Sequence, residues 1–188
     1  MFKNKLLLHY HLKCLKLFTQ INLTHPPQNQ HHLNIAPIYG NTKYESAFNY
    51  QLKHNKRIAQ FSNNATTLII GSSWPVEEKL MARFLNSNNS TNIRVIIAPH
   101  EIHPRRIAQL KNRFEGNFQL YSDGTINSEK QVLIVDNIGL LQSLYQYCDI
   151  AIIGGGMGKG LHNILEAVAQ GKPVLFGYKY QNFEEATD

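Results

Sequence analysis

The chain has 188 residues, of which 43% are hydrophobic and 17% charged, so it is long enough for one sizeable core with an appendage. Its formal charge of +6 is unevenly spread: residues 1 to 40 hold four lysines and no acid, and the remainder holds 15 of the 19 basic and all 13 acidic residues. Because the remainder is nearly balanced, the composition argues against a broad nucleic-acid-binding surface, and it excludes disorder for most of the chain.

The first 40 residues are predicted to be a leader followed by a linker. The apolar run Leu6–Leu8 is broken at once by His9, and Met1–Leu23 lacks a small-residue cleavage site, so we expect neither a spanning helix nor a signal peptide. An amphipathic helix lying on a surface and an ill-packed leader both stay open. Residues 24 to 34 are polar and broken by proline, which is typical of a linker and places a boundary near residue 40.

The two cysteines, Cys14 and Cys148, lie far apart and show no CxxC spacing. This arrangement predicts neither a disulfide framework nor a structural zinc site, and it favours a reducing, cytoplasmic setting.

From residue 41 to residue 188, strand and helix signals alternate with short connections. This order predicts an α/β fold with a parallel, doubly wound, Rossmann-like sheet. The predicted strands are Thr66–Ile70, Ile93–Ala98, Val132–Val135, Ile150–Ile153 and Pro173–Phe176, and the predicted helices are Val76–Asn86, Pro104–Phe114, Leu140–Tyr147, Leu161–Gln170 and a segment from Asn182 onward.

In such sheets, ligands bind beyond the carboxyl ends of the strands. The segments expected there are Gly71–Pro75, Pro99–Glu101, Asp136–Gly139, Gly154–Gly160 and Phe176–Tyr178.

The glycine-rich segment Gly154–Gly160 is the most informative local feature. Its glycines allow close approach to a ligand, and a helix predicted from Leu161 offers N–H groups for an anion. Lys159 is followed by glycine instead of Ser or Thr, and the acidic residue of the dinucleotide pattern is lacking, so ATP and NAD are disfavoured. A tight turn without a ligand is the alternative for the segment taken alone.

Two polar residues follow this segment at helical spacing. His162 and Glu166 are four residues apart, which on a helix places them on one face, and a carboxylate there is suited to accept hydrogen bonds from ribose hydroxyls. The alternative for Glu166 is a solvated first-turn acid stabilised by the helix dipole. Together with the glycines, the pair predicts a sugar-nucleotide site.

Three other strand ends carry polar candidates. His100 and Glu101 either face the crevice or cap a helix, the segment Asn137–Gly139 either reads a base edge or forms an Asx-type turn, and Ser72 and Ser73 either cap a helix or donate to a phosphate. We see no Ser-His-Asp triad and no metal-ligand cluster, so neither a metal nor a cofactor is expected.

Taken together, these motifs closely resemble a known family, the 3-deoxy-D-manno-octulosonic acid (Kdo) transferases of lipid A biosynthesis, and above all their Bacteroidetes-type members. The resemblance runs from about Gly40–Glu45 to the end of the chain and includes Pro173–Gly177. Its strongest part is Gly154–Gly160 followed by Leu-His-Asn-Ile-Leu-Glu-Ala. Lys43 stands where the family usually has arginine, which keeps the charge but loses the bidentate fork.

The resemblance implies the C-terminal half of a GT-B glycosyltransferase, which binds the donor CMP-Kdo. By resemblance, the residues that contact CMP are Pro99, His100, Asn137, Ile138, Gly139, Asn163, Ile164, Leu165 and Glu166, with Ser72 and Ser73 near the donor phosphate or sugar. The general base and the acceptor site of the family belong to an N-terminal domain that residues 1 to 39 do not resemble. We therefore expect a truncated transferase, incomplete at its C-terminus and inactive without an acceptor domain supplied by a separate chain.

For the intact family, the resemblance implies metal-independent, inverting transfer of Kdo to a lipid A precursor (lipid IVA), with helix N-termini and glycine-loop amides stabilising the leaving phosphate. It also implies a peripheral location on the cytoplasmic face of the bacterial inner membrane, for which the lysines of the leader are candidates. Two alternatives stay open: another GT-B enzyme that uses a UDP-sugar, and a non-catalytic nucleotide-binding remnant.

Overall fold

The computed structural model describes residues 46–87 and 92–186. The chain divides into two compact units, residues 1–50 and 51–188. In the first unit, the described part is a single helical turn at residues 46–48 and the two residues after it. The predictions for the leader, the linker and Gly40–Glu45 lie outside the described residues, and so do the last two residues. The predicted boundary near residue 40 therefore stays a prediction.

The second unit is an α/β domain. Its strands are β1 (Thr66–Ser73), β2 (Ile93–Pro99), β3 (Phe118–Leu120), β4 (Val132–Ile134), β5 (Ile150–Ile153) and β6 (Val174–Phe176). Its helices are α1 (Lys56–Ser62), α2 (Pro75–Ser87), α3 (Pro104–Arg113), α4 (Leu141–Leu144) and α5 (Leu165–Val168), with 3-10 turns at Tyr121–Asp123, Tyr145–Tyr147 and Glu184–Ala186.

The strands form one parallel sheet in the order β3-β4-β2-β1-β5-β6. On one side of β1 lie β2, β4 and, at the edge, β3. The last two strands of the chain, β5 and β6, lie on the other side of β1. Strand order therefore reverses between β1 and β5, which is where a doubly wound sheet opens a crevice at its carboxyl edge. The predicted α/β, Rossmann-like fold is confirmed.

Both faces of the sheet are covered, as the continuous apolar strands predict. On one face, Leu68 and Ile70 pack with Met81 and Leu85 of α2 and with side chains of α3. On the other face, Ile69 packs in a second cluster that includes side chains of α1 and of the segments around α4 and α5. Alternate residues of β1 thus serve opposite layers, which fixes the register of the central strand.

The structure corrects one predicted helix that matters for the site. The segment predicted as a helix over Leu161–Gln170 is helical only over Leu165–Val168. Gly160 has a φ of +112°, and the N–H of His162 donates to the carbonyl of Gly154, 3.2 Å away. The backbone before α5 therefore closes the glycine-rich loop instead of continuing a helix.

The other predicted elements lie within a few residues of their expected bounds, except that a 3-10 turn at Glu184–Ala186 stands in place of the helix predicted from Asn182 onward. In place of a helix over Leu140–Tyr147, α4 covers Leu141–Leu144 and a 3-10 turn follows it. The short elements α1 and β3 were not predicted. Among the described residues, no helix is long and apolar enough to cross a bilayer.

A buried ionic cluster joins α2 to α3 and to the end of β1. Glu78 is fully buried, and its carboxylate pairs with Arg106 and with Arg113, the latter at 2.7 Å. The same carboxylate accepts a hydrogen bond from the hydroxyl of Ser73 at 2.7 Å. A buried charge is tolerated only when it is paired and hydrogen-bonded, so this cluster fixes how α2 and α3 meet.

The first prediction concerns this cluster. Replacing Glu78 with Ala leaves Arg106, which is 5% exposed, as an uncompensated buried charge. We expect Glu78→Ala to lower the free energy of unfolding by about 3–5 kcal/mol, measured by urea denaturation. In the control Glu101→Ala, which removes an exposed carboxylate, we expect less than about 1 kcal/mol. Equal small losses in the two variants would show that the cluster is dispensable.

Candidate functional site

The loops that follow β1, β2 and β5 meet at the carboxyl edge of the sheet. Each contributes one ring to a stack. The ring of His100 lies 4.6 Å from that of Trp74 and 4.5 Å from that of His162, centroid to centroid. The structure therefore brings His100 and His162, both singled out from the sequence, to the point where strand order reverses.

A hydrogen bond fixes the state of His162. The indole N–H of Trp74 donates to Nε2 of His162 at 2.9 Å, so that nitrogen acts as an acceptor and the ring proton resides on Nδ1. Burial lowers the pKa of His162 below its usual value, and the neighbouring His100 lowers it further, while Glu77 opposes the change. His162 is accordingly a neutral imidazole with one N–H left to donate.

Glu77 connects two of these loops and was not predicted as part of the site. Its side chain is 4% exposed, and its carboxylate accepts hydrogen bonds from the backbone N–H of Gly155 at 3.0 Å and of Trp74 at 3.2 Å. The sequence does indicate this position, because Glu77 lies in the first turn of α2, where the helix dipole stabilises a negative charge. The segment predicted to reach the site at that strand end, Gly71–Pro75, ends two residues before Glu77.

The consecutive glycines pack against the chain itself. A Cβ on Gly154 would lie 2.1 Å from the carbonyl oxygen of Ser72, and one on Gly155 would lie 2.0 Å from that of Gly160. A Cβ on Gly156 would lie 2.7 Å from the backbone nitrogen of Gly177, the first residue after β6. These glycines are needed so that three segments of backbone can touch, whereas a Cβ on Gly158 would meet open space.

The loop amides are also largely engaged within the chain. The N–H groups of Gly154, Gly155, Gly158 and Gly160 all donate to oxygen atoms of the protein at 2.9 to 3.0 Å. Moreover, α5 is four residues long and does not begin at Leu161. The helix start predicted at Leu161, which was to supply N–H groups for an anion, is therefore wrong, and the backbone N–H of His162 closes the loop instead.

Asn163 and Glu166 form a polar pair in the segment that follows His162. The side-chain oxygen of Asn163 accepts from the N–H of Leu165 at 3.0 Å. Burial raises the pKa of Glu166 above its usual value, and a hydrogen bond with the Asn163 side chain partly offsets that rise. The predicted placement of His162 and Glu166 on one helical face is wrong, since His162 precedes the helix.

Several other predicted contacts lie at the same edge in differing states. Ile164 and Leu165 are buried in the core, and Pro99 is the buried last residue of β2. Ser73 is fully buried and donates its hydroxyl to Glu78, whereas Ser72 is partly exposed with a φ of +51°. The buried residues can therefore contact a ligand only through their backbone, whereas Ser72 can also contact it through its side chain.

The loop after β4 is held by Asp136. Its carboxylate accepts from the backbone N–H of Ser122 at 3.0 Å and from the Ser122 hydroxyl at 2.5 Å. Asn137, Ile138 and Gly139 follow as exposed residues, and the Ile138 side chain is 86% exposed. An exposed segment anchored at one end presents backbone groups that a base edge can meet.

In the described part of the chain, no group of three or more His, Cys, Asp or Glu side chains is placed to hold a metal ion. Cys148 is a buried free thiol whose pKa burial raises to about 11.

Comparison with known proteins gives a consistent result. The chain is 26% identical over 121 residues to the 3-deoxy-D-manno-octulosonic acid transferase of Chlamydia trachomatis serovar D and 30% identical over 113 residues to that of Aquifex aeolicus. These alignments cover 63% and 58% of this chain but only 28% and 31% of the relatives. The chain thus spans less than a third of these curated relatives. No protein-family model matches it.

A solved structure matches the fold. The C-terminal CMP-Kdo binding domain of WaaA from Acinetobacter baumannii superposes with a TM-score of 0.60 and 25% identity, covering 78% of this chain and 76% of that domain. The sequence relatives and the structural neighbour agree with each other. The resemblance of this chain to the C-terminal domain of the 3-deoxy-D-manno-octulosonic acid transferases, predicted from its motifs, is thereby confirmed.

Proposed function

We propose that this chain is the donor-binding domain of a glycosyltransferase that transfers Kdo from CMP-Kdo. The observation that carries the proposal is the likeness, over 78% of the chain, to a domain described as binding CMP-Kdo. The gathering of Trp74, His100 and His162 at the strand reversal supports it, because doubly wound sheets bind their nucleotides there.

The proposed CMP site uses three loops. Pro99 and His100 approach from the end of β2, the exposed segment Asn137–Gly139 offers backbone groups to the base, and Asn163–Glu166 approaches from the start of α5. Glu166 accepts hydrogen bonds from the ribose hydroxyls through its carboxylate. Its partial burial supports this role, because a half-buried carboxylate gains more from such bonds than a fully solvated one.

Within the reaction, this domain orients the donor and stabilises the leaving phosphate. Most amides of the glycine-rich loop are occupied, so we assign a neutral hydrogen-bond donor, Nδ1–H of His162, to the leaving group. A donor fixed by Trp74 needs no reorganisation as charge develops. The general base and the acceptor site are assigned to a separate acceptor domain, so this domain alone is expected to bind the donor without transferring the sugar.

The proposal extends to the acceptor and the location. The acceptor is a lipid A precursor, and transfer takes place at the cytoplasmic face of the inner membrane with the enzyme bound peripherally. The lysines of the first 40 residues, which lie outside the described part, are the candidate contacts to anionic lipid.

Nucleotide selectivity tests the donor site. At CMP concentrations about tenfold above Kd, we expect a stabilisation of about 1.4 kcal/mol and a rise in Tm of about 3–5 °C. UMP and AMP should give smaller shifts at the same concentration. The shift with CMP should be lost in Glu166→Gln and kept in Glu129→Gln, which changes an exposed carboxylate outside the site.

Two outcomes would contradict the proposal. A larger shift with UMP would favour a UDP-sugar transferase. The absence of any nucleotide effect on the folded chain would favour a remnant that does not bind a donor.

The state of His162 gives a second test. Trp74→Phe removes the indole N–H that donates to the lone pair on Nε2 of His162. We therefore expect the pKa of His162 to rise toward the usual histidine value. Histidine ring signals followed by NMR between pH 4.5 and 8 measure this, with the exposed His103 as the internal control. An unchanged or lowered pKa of His162 would contradict the assigned hydrogen bond.

The lowered pKa of His162 also makes the free energy of unfolding depend on pH. The pKa of His162 in the folded chain lies below its unfolded value, so the unfolded chain binds the proton first. The neutral ring of His162 makes its full contribution to the free energy of unfolding above the ordinary histidine pKa. That contribution is lost as the pH falls below this value. Trp74→Phe should therefore reduce the loss of stability between pH 7 and pH 5.

A further inference from the structure

One lysine lies in the glycine-rich loop and another in the loop after β6. Gly154–Gly160 contains Lys159, the following loop Gly177–Phe183 contains Lys179, and neither loop contains an acid. The ammonium of Lys159 lies 5.6 Å from the centre of the Trp74 ring. The backbone N–H of Lys179 donates to the carbonyl of Gly156 at 2.8 Å. Positive charge is thus attached to the two loops that the glycine contacts bring together.

Three described side chains around this edge of the sheet do not supply a free positive charge. His162 is neutral because its Nε2 accepts a hydrogen bond. Arg106 is buried and paired with Glu78, and the carboxylate of Glu77 adds a negative charge next to Gly155. A donor built from a nucleotide and a sugar acid carries two negative charges, on the phosphate and on the carboxylate. Placing both there without a nearby cation is costly.

The two lysines are engaged differently. The ammonium of Lys179 lies 3.5 Å from the carbonyl oxygen of Gly158, so it is positioned to hold the loop. Lys159 is exposed, and its ammonium faces the ring of Trp74, which itself stacks on His100. A cation–π contact of this kind leaves the three N–H groups of the ammonium able to donate to an anion.

We propose that Lys159 binds the carboxylate of the sugar acid in the donor and thereby selects sugar acids over neutral sugars. This inference rests on the proposed function, since it names the group that reads the sugar in the same site. It gives Lys159 a role in specificity for the donor, distinct from recognition of CMP by the loops after β2 and β4 and by α5.

The test compares two ligands on the full chain, CMP and CMP-Kdo, by equilibrium binding with freshly prepared donor. Lys159→Gln should weaken CMP-Kdo about tenfold, as for the loss of one charge-assisted hydrogen bond, and change CMP less than about twofold. Lys159→Arg should recover most of the affinity because it restores the charge. Lys111→Gln is the matched control, since Lys111 is also exposed and lies 5.9 Å from the centre of an aromatic ring, that of Phe118.

The outcomes separate this inference from the proposal beneath it. Equal losses of affinity for CMP and CMP-Kdo in Lys159→Gln would overturn the inference. They would show that Lys159 contacts the phosphate or maintains the conformation of the loop. Unchanged affinity for CMP-Kdo would also overturn it. Failure of the unmodified chain to bind either ligand would overturn the proposed function, and the inference with it.

Discussion

Two adjacent buried carboxylates at the start of α2 organise the domain. Glu78 pairs with arginines of α3 and fixes the helical layer on one face of the sheet. Glu77, one residue earlier, accepts the backbone N–H groups of Trp74 and Gly155 and so holds the loops after β1 and β5 together. Since strand order reverses between these strands, the crevice depends on a side chain that belongs to neither loop.

The stacked rings depend on the same anchoring. Trp74 is the link, because its backbone N–H bonds to Glu77 while its indole N–H bonds to His162. His100 then fits against both rings. The backbone hydrogen bond to Glu77 thus positions Trp74, and the indole of Trp74 in turn fixes which nitrogen of His162 carries the proton. This preorganisation is what a site needs if charge is to develop on a leaving group without rearrangement.

The sequence predicted the sheet well and the loops poorly, for different physical reasons. Three of the predicted apolar runs belong to β1, β2 and β4, which are buried along most of their length, and continuous apolar runs of this kind favour buried strands. The short strand β3 has three residues and leaves no comparable pattern. The helix predicted from Leu161 was too long because its spacing is helical, while loop closure through His162 depends on a carbonyl that a linear pattern does not reveal.

The contact between Gly156 and Gly177 couples the loops after β5 and β6. Their backbones lie so close that a side chain on either glycine would collide with the other loop. Neither loop can lengthen or gain bulk at this point unless its neighbour changes as well. A redesign of either strand end would therefore have to treat the two loops as one packed unit and change both together.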